Sequence, residues 1–275
     1  MEPRSTTILV PADQWPVLNL RELWQHRDLL WMLTWRGIHV RYKQAVIGAG
    51  WAILQPLALM AVFSIFFGWI VRIPSDGIAY PLFVYSGLTL WQFTARAVHE
   101  GAGAIALNPH LVAKIYLPRL YLPLAAILAA AVDLAASFVA LLVMLAVYQV
   151  VPGWQVIVLP LVLLLVAATV VGMAAFLAAM WALYRDVAHL LPFLLQVWMF
   201  CTPVIYPTSM VPAAWQWVYA LNPMVTAVDA LRWALLGGVA PTPSMILAST
   251  LVALALLVFG YRWFRRREGV MPDAV

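Results

Sequence analysis

Long apolar runs recur along this chain, and polar residues are largely confined to the short stretches between them. The runs at about 45–71, 80–106, 124–151, 156–183, 188–206 and 244–264 are long enough to cross a bilayer and predict six membrane-spanning helices. Pro56 predicts a kink in the first. The second is unusual in carrying Arg96, His99 and Glu100, and the third contains Asp133. Ahead of the first span, Asn19 and Glu22 form a capping-box pattern with Leu18 and Leu23 as its hydrophobic staple. Leu20, Leu23, Trp24, Leu30, Trp31, Trp35 and Ile38 then recur at helical spacing, while Arg21, Glu22, Gln25 and Asp28 fall elsewhere. That pattern predicts an N-terminal amphipathic helix lying in the membrane interface.

Residues 191–232 break the rhythm. The fifth span is interrupted by Pro203 and Pro207, and 210–239 stays rich in Trp, Ala, Val and Leu while carrying Pro212, Pro223, Asp229 and Arg232. Such charges are costly against lipid. A broken backbone at membrane depth is tolerated only where protein or a water-filled cavity satisfies it. A re-entrant helical hairpin between spans five and six is therefore expected, at the mouth of a pathway; the plainer alternative is an interfacial loop covering helix ends. The expected organisation is a cytoplasmic arm and interface helix over 1–43, a transmembrane domain over 44–264 and a cytoplasmic tail over 265–275.

Composition supports an all-α polytopic membrane protein: 65% of the 275 residues are hydrophobic and 10% charged, against about 25% charged in soluble domains. The net charge of +5 raises the question of nucleic acid, and the placement of the basic residues answers it. With six crossings, every Lys and Arg falls on one side except Arg72 and Arg232, with Arg96 inside a span. This bias places both termini in the cytoplasm and leaves no nucleic-acid face. It also requires 210–239 to enter and return, since one crossing there would carry the Arg-rich tail outside. The single cysteine, Cys201, excludes an internal disulfide, and the first 17 residues lack the apolar core of a cleavable signal peptide.

Motifs for chemistry are missing. No phosphate-binding loop, H-E-x-x-H or metal-spaced cluster occurs, so neither catalytic nor metal-binding residues are expected. Ser86 and His99 share one predicted helix roughly 20 Å apart, too far for a nucleophile–base pair. Arg96 and Glu100 stand at i, i+4 and can pair; Asp133 is a further partner for Arg96 or His99. The cluster reads either as an ionic tie between helices or as a polar lining or proton relay. Asp229 and Arg232, at i, i+3, are expected to tie down the hairpin. Aromatic side chains on spans one and five (Trp51, Phe63, Phe66, Phe67, Trp198, Phe200 and Tyr206) suit stacking on sugar rings as well as packing against lipid or helices.

Four stretches, in order, resemble the permease subunit of type-2 ABC exporters for polysaccharides (O-antigen, capsule and teichoic acid export). They are RYKQAVIGAGWAILQP at 41–56, NPHLVAKIYLPRLYLP at 108–123, YRDV at 184–187, and TPVIYPTSMVP with LNPM at 202–212 and 221–224. The resemblance runs from about Leu20 onward; Ala45 stands where a serine is common, and Arg96 is an unusual charge. It implies a homodimer in the bacterial inner membrane, paired with two nucleotide-binding ATPase subunits that hold ATP and Mg, with no cofactor in this chain. The cargo it implies is a lipid-linked polysaccharide. By the same resemblance, the amphipathic helix, the loop bearing Asn108, Pro109, Lys114 and Arg119, and the Arg185–Asp186 turn would dock on the ATPases. Spans one and five would line a channel that the hairpin gates. Arg36, Arg41 and Lys43, flanking the first span, are expected to receive a lipid-linked diphosphate. A drug or lipid exporter on the same scaffold is one alternative. An ATPase-independent secondary transporter is another, although no internal repeat between the halves is evident.

Overall fold

The computed structural model describes residues 27–43, 48–114 and 118–271, and among these every regular element is helical. The expected cap at Asn19 and the start of the first span at Ala45 lie outside the described residues. Four helical stretches are long and apolar enough to cross a membrane: Trp51–Ile70, Tyr121–Val147, Trp154–Leu183 and Pro243–Arg267, with mean hydropathies of 2.0, 2.4, 2.9 and 2.1. The chain is a multi-pass membrane protein. Two of the expected spans differ from these four. One is a 24-residue helix whose polar residues lower its hydropathy, and the other is a helix of only 14 residues.

The first described helix, α1 (Arg27–Tyr42), packs along α5 (Tyr121–Val147). Leu29, Leu30 and Leu33 meet the bundle, while Trp31 and Trp35 are exposed and stacked on each other. α2 (Trp51–Phe63) passes without interruption into a π-helical stretch, Ser64–Ile70, with Pro56 buried inside it. The organising element is α3 (Tyr80–Gly103). Most of its residues are buried, enclosed by α2, α5, α6 (Leu159–Leu183) and α9 (Pro223–Leu236). Its low hydropathy follows from that position, because a helix surrounded by protein needs no lipid-facing stripe.

α6 also packs extensively on the last helix, α10 (Pro243–Arg267). Their backbones touch at a pair of glycines: a Cβ on Gly260 would lie 2.0 Å from the Gly172 carbonyl oxygen, and one on Gly172 would lie 2.5 Å from the Leu256 backbone. Small residues permit this approach, as in membrane helix pairs generally. α10 continues through Arg267, three residues beyond the expected end of the sixth span, and carries Arg265, Arg266 and Arg267 in its last turn, where they suit the helix dipole.

α7 (Val187–Phe200) stops before Thr202, since Pro203 disfavours helical geometry in the residue ahead of it. A run of turns leads to α8 (Ala213–Tyr219) and α9, a helix–turn–helix over the segment expected to be re-entrant. α9 is delimited at both ends. Asn222 caps it by accepting the Met224 N–H at 3.1 Å, Pro223 occupies its first turn, and Gly237 ends it at φ +69°. Nearly all of α9 is buried, against α3, α6 and α10. Among the described residues, the short helix α4 (Pro109–Lys114) completes the set, between α3 and α5.

Candidate functional site

The charges inside the bundle fall into two groups, toward opposite ends of α3. At one end, the last turn of α1 meets α3 and α5. Arg41 Nη1 donates to Asp133 Oδ2 at 2.5 Å while its Nη2 donates to Glu100. Arg96 Nη1 reaches the same Asp133 oxygen at 2.6 Å, and its Nη2 donates to Gln55 Oε1 of α2 at 3.1 Å. The Tyr42 hydroxyl donates to the other oxygen of Asp133. Two guanidinium groups thus balance two carboxylates, and four helices are joined through them. Burial, followed by its bond to the Asp133 carboxylate, raises the Tyr42 phenol above its ordinary value, so it remains a donor at neutral pH.

This geometry differs from the expected i, i+4 pair within α3. Arg96 turns to Asp133 and Glu100 to Arg41, so each α3 charge is matched by another helix. The partner that sequence reasoning missed is Arg41, placed instead among the cations of the interface. His99 packs edge-on against Trp181, with ring centroids 5.7 Å apart. Beside the cluster, a cavity of about 510 Å³ opens between α1, α3, α4 and α5; its polar wall is Arg36, His99, Glu100 and Asn108. Arg36 and Lys43 are exposed.

The residues expected to face an ATPase are spread over this same end. Asn108 Nδ2 donates to the Ala104 carbonyl at 3.0 Å, and Pro109 opens α4. The side chain of Lys114 lies outside the described residues. The Arg119 N–H donates to Glu268 Oε1 at 3.2 Å, and its guanidinium reaches the Glu268 carbonyl. Glu268 also accepts from Arg265 Nη1 at 2.8 Å, so the loop after α4 is fastened to the end of α10. Met271, fully buried, extends that contact into the cluster holding Leu30 and Leu111. Sequence reasoning missed Glu268 and Met271, because nothing in the local pattern marks a tail that folds back. Arg185 and Asp186 lie exposed in the turn before α7.

At the other end, Arg232 of α9 is 3% exposed. Its Nε and Nη2 donate to the Phe83 carbonyl at 3.3 and 3.1 Å, and Nη2 also reaches the Val204 carbonyl at 3.0 Å. The guanidinium stands 3.5 Å from the centroid of the Phe83 ring. Gly87 makes room for it, since a Cβ there would lie 2.9 Å from Nη2. Asp229, the partner expected from i, i+3 spacing, shares with Arg232 a cavity at this end lined also by Asp76 and Ser209, but the direct bonds of Arg232 go to backbone carbonyls of α3 and of the turn after α7. Asn222 binds that turn as well, accepting from Trp198 Nε1 at 3.0 Å and donating to the Cys201 carbonyl at 3.0 Å.

The expected pathway aromatics divide into two groups. Trp51, Phe66 and Phe200 are half or more exposed. Phe63 and Phe67 pack edge to face on α2 and its π-helical extension, with centroids 5.7 Å apart. Trp198 turns inward, onto Trp91 of α3 at 5.5 Å. Tyr206 donates to the Phe200 carbonyl at 2.7 Å and lies 2.9 Å from the Tyr219 hydroxyl. Along Trp51–Ile70 only 6% of the apolar window is buried, which makes it the least covered of the four long apolar helices.

Among the described residues, no group of His, Cys, Asp and Glu is arranged to hold a metal ion. The profile described as ABC-2 type transporter matches residues 28–236. The O-antigen export system permease protein RfbA of Myxococcus xanthus is similar at 31% identity over 260 residues, 93% of this chain and 98% of that one. A protein of the same name from Klebsiella pneumoniae is 24% identical over 210 residues, 75% of this chain and 78% of its own. The polysialic acid transport protein KpsM of Escherichia coli is 25% identical over 244 residues, covering 86% and 92%. With one profile spanning most of the bundle and one relative matched almost end to end, this chain belongs to the ABC-2 type transporter family.

Proposed function

We infer that this chain is the permease subunit of an ATP-driven exporter that moves a lipid-linked polysaccharide out of the cytoplasm across the bacterial inner membrane. The observation that carries this reading is the match to the Myxococcus xanthus O-antigen export permease over 98% of that protein. The chain crosses six times with both termini cytoplasmic, α3 and α7 supplying the crossings that hydropathy alone leaves out. α8 and α9 form a re-entrant hairpin at the outer end, and α1 lies in the inner interface with Trp31 and Trp35 toward lipid. A second copy covers the open face of α2, and α2 and α7 of the two copies border the path. Two separate ATPase subunits hold ATP and Mg and meet α4, the loop at Arg119 and the Arg185–Asp186 turn.

Arg36 and Lys43, being exposed, are the cations free to meet the diphosphate of the lipid-linked cargo. Arg41 joins them only by loosening its bonds to Glu100 and Asp133. Export of lipid-linked glycan by vesicles containing this chain and its ATPase tests the reading. Replacing both Arg36 and Lys43 with Gln should lower export while expression and ATP hydrolysis without cargo persist. Export that continues unchanged rejects the headgroup role, and export that needs no nucleotide rejects the permease reading itself.

A further inference from the structure

A cavity of about 230 Å³ lies between the hairpin, the turn at Asp76 and the segment leading into α10. Phe83 and Glu100 mark the two ends of α3, some 25 Å apart at about 1.5 Å per residue, so the cavity sits far from the Arg41–Asp133 cluster. Its polar wall comprises Asp76, Thr208, Ser209, Gln216, Asp229 and Arg232. Three features make it more than a gap between helices. Arg232, almost wholly buried, spends Nε and Nη2 on carbonyls and leaves Nη1 without a partner. Held by those carbonyls, the guanidinium is fixed in the wall as one positive charge. Ser209 Oγ donates to Asp76 at 2.9 Å and closes one side of the cavity. Asp76 also holds a left-handed backbone, φ +49°, rarely adopted by residues other than glycine.

The charges define the chemistry of the occupant. Asp76 and Asp229 face a single guanidinium, so the wall is net negative and repels anions. The carboxylates accept from hydroxyls, the Gln216 amide offers a donor, and Ile78 and Met245 supply apolar surface. The volume lies below the range of about 300–1,000 Å³ that holds drug-sized ligands, which suits one ring-sized polyol rather than a chain. We propose that this cavity binds one neutral, hydroxyl-rich sugar unit at the outer end of the permease. The proposal rests on the polysaccharide reading above and extends it, because it makes the outer hairpin a contact for uncharged sugar residues that discriminates against acidic ones.

Saturation-transfer NMR on the chain in nanodiscs tests it, with methyl mannoside, N-acetylglucosamine and glucuronate as probes. A neutral sugar should bind in the roughly millimolar range, and glucuronate about tenfold or more weaker. Asp229→Asn should abolish transfer while preserving shape. Val239→Trp, at an exposed position in the cavity wall, should block it by bulk without touching the hairpin's hydrogen bonds. No transfer to either neutral sugar overturns the proposal, as does transfer that survives both substitutions or glucuronate binding of equal strength. An export assay with the partner ATPase separates the two readings. Export without sugar binding rejects this site alone, whereas binding without polysaccharide export supports the site and rejects the polysaccharide reading.

Discussion

Asp133→Asn should be among the most damaging single changes of charge in the bundle. The substitution keeps the shape of the side chain and removes one negative charge from a group of two guanidiniums and two carboxylates. Glu100 is then left to balance both Arg41 and Arg96. The Asp133 side chain is 9% exposed and accepts from Arg41, Arg96 and Tyr42, whereas Glu100 is 34% exposed and is bonded to Arg41 alone. Breaking a fully buried pair costs about 3–5 kcal/mol. The arginines are 21% and 28% exposed, which discounts the loss to roughly 2–3 kcal/mol. At about 2–4 °C per kcal/mol for chains of comparable size, that is a fall of roughly 4–12 °C. Glu100→Gln leaves Arg41 on Asp133 and should cost about 1 kcal/mol or less. Size-exclusion chromatography of detergent-purified protein after stepwise heating reads both shifts. Adding Arg96→Leu to an Asp133→Leu background should restore part of the loss, since it leaves the neutral Arg41–Glu100 pair. Equal shifts for Asp133→Asn and Glu100→Gln, or no recovery in the double variant, would refute the view that Asp133 is the hub.

Gly260→Ala forces a Cβ onto the Gly172 carbonyl and should separate α6 from α10, costing at least about 3 kcal/mol; a cross-link between cysteines on the two helices should fade accordingly. Asn222→Ala removes a helix cap and the acceptor for Trp198 Nε1, a loss of about 2–4 kcal/mol, whereas Asn222→Asp retains both and should lose less in the same melting assay. Glu268→Ala detaches the Arg119 N–H and Arg265 from each other. Transport per ATP hydrolysed should fall in vesicles containing the ATPase, while Glu268→Gln, which keeps an acceptor for the N–H, should fall less.

Much of the fold was legible because apolar runs of membrane length leave few alternatives. The runs containing Leu124, Leu163 and Leu251 match long helices with ends shifted by a few residues. A break at Pro203 was readable, although the expected fifth span ran on to 206 where the helix ends at Phe200; within 210–239, the boundaries of α9 at Pro223 and Gly237 came only with the structure. Pairing was less legible. A helix carrying Arg96 and Glu100 at i, i+4 invites a pair within itself, and only the three-dimensional meeting of α1, α3 and α5 shows that each charge is matched by a different helix. Arg232 misled in the same way, because its partners are backbone carbonyls of Phe83 and Val204, which no side-chain pattern reports. The contact of Glu268 with Arg119 joins positions 149 residues apart, beyond the reach of any local signal.

The seclusion of α3 carries a consequence for how the chain is made. Its segment leaves the ribosome as the least lipid-compatible of the long helices, with Arg96 and Glu100 exposed and Asp133 still some 30 residues from synthesis, about 45 Å of unformed helix at 1.5 Å per residue. Insertion one hairpin at a time would strand those charges in hydrocarbon. Entry of α2 and α3 together with the segment bearing Asp133 would avoid that cost. Until then Glu100 has two counter-charges, Arg96 one turn back on its own helix and Arg41, already synthesised. A variant lacking Asp133 is therefore expected to betray itself first in newly made chains, as failed integration, before any defect in the finished molecule.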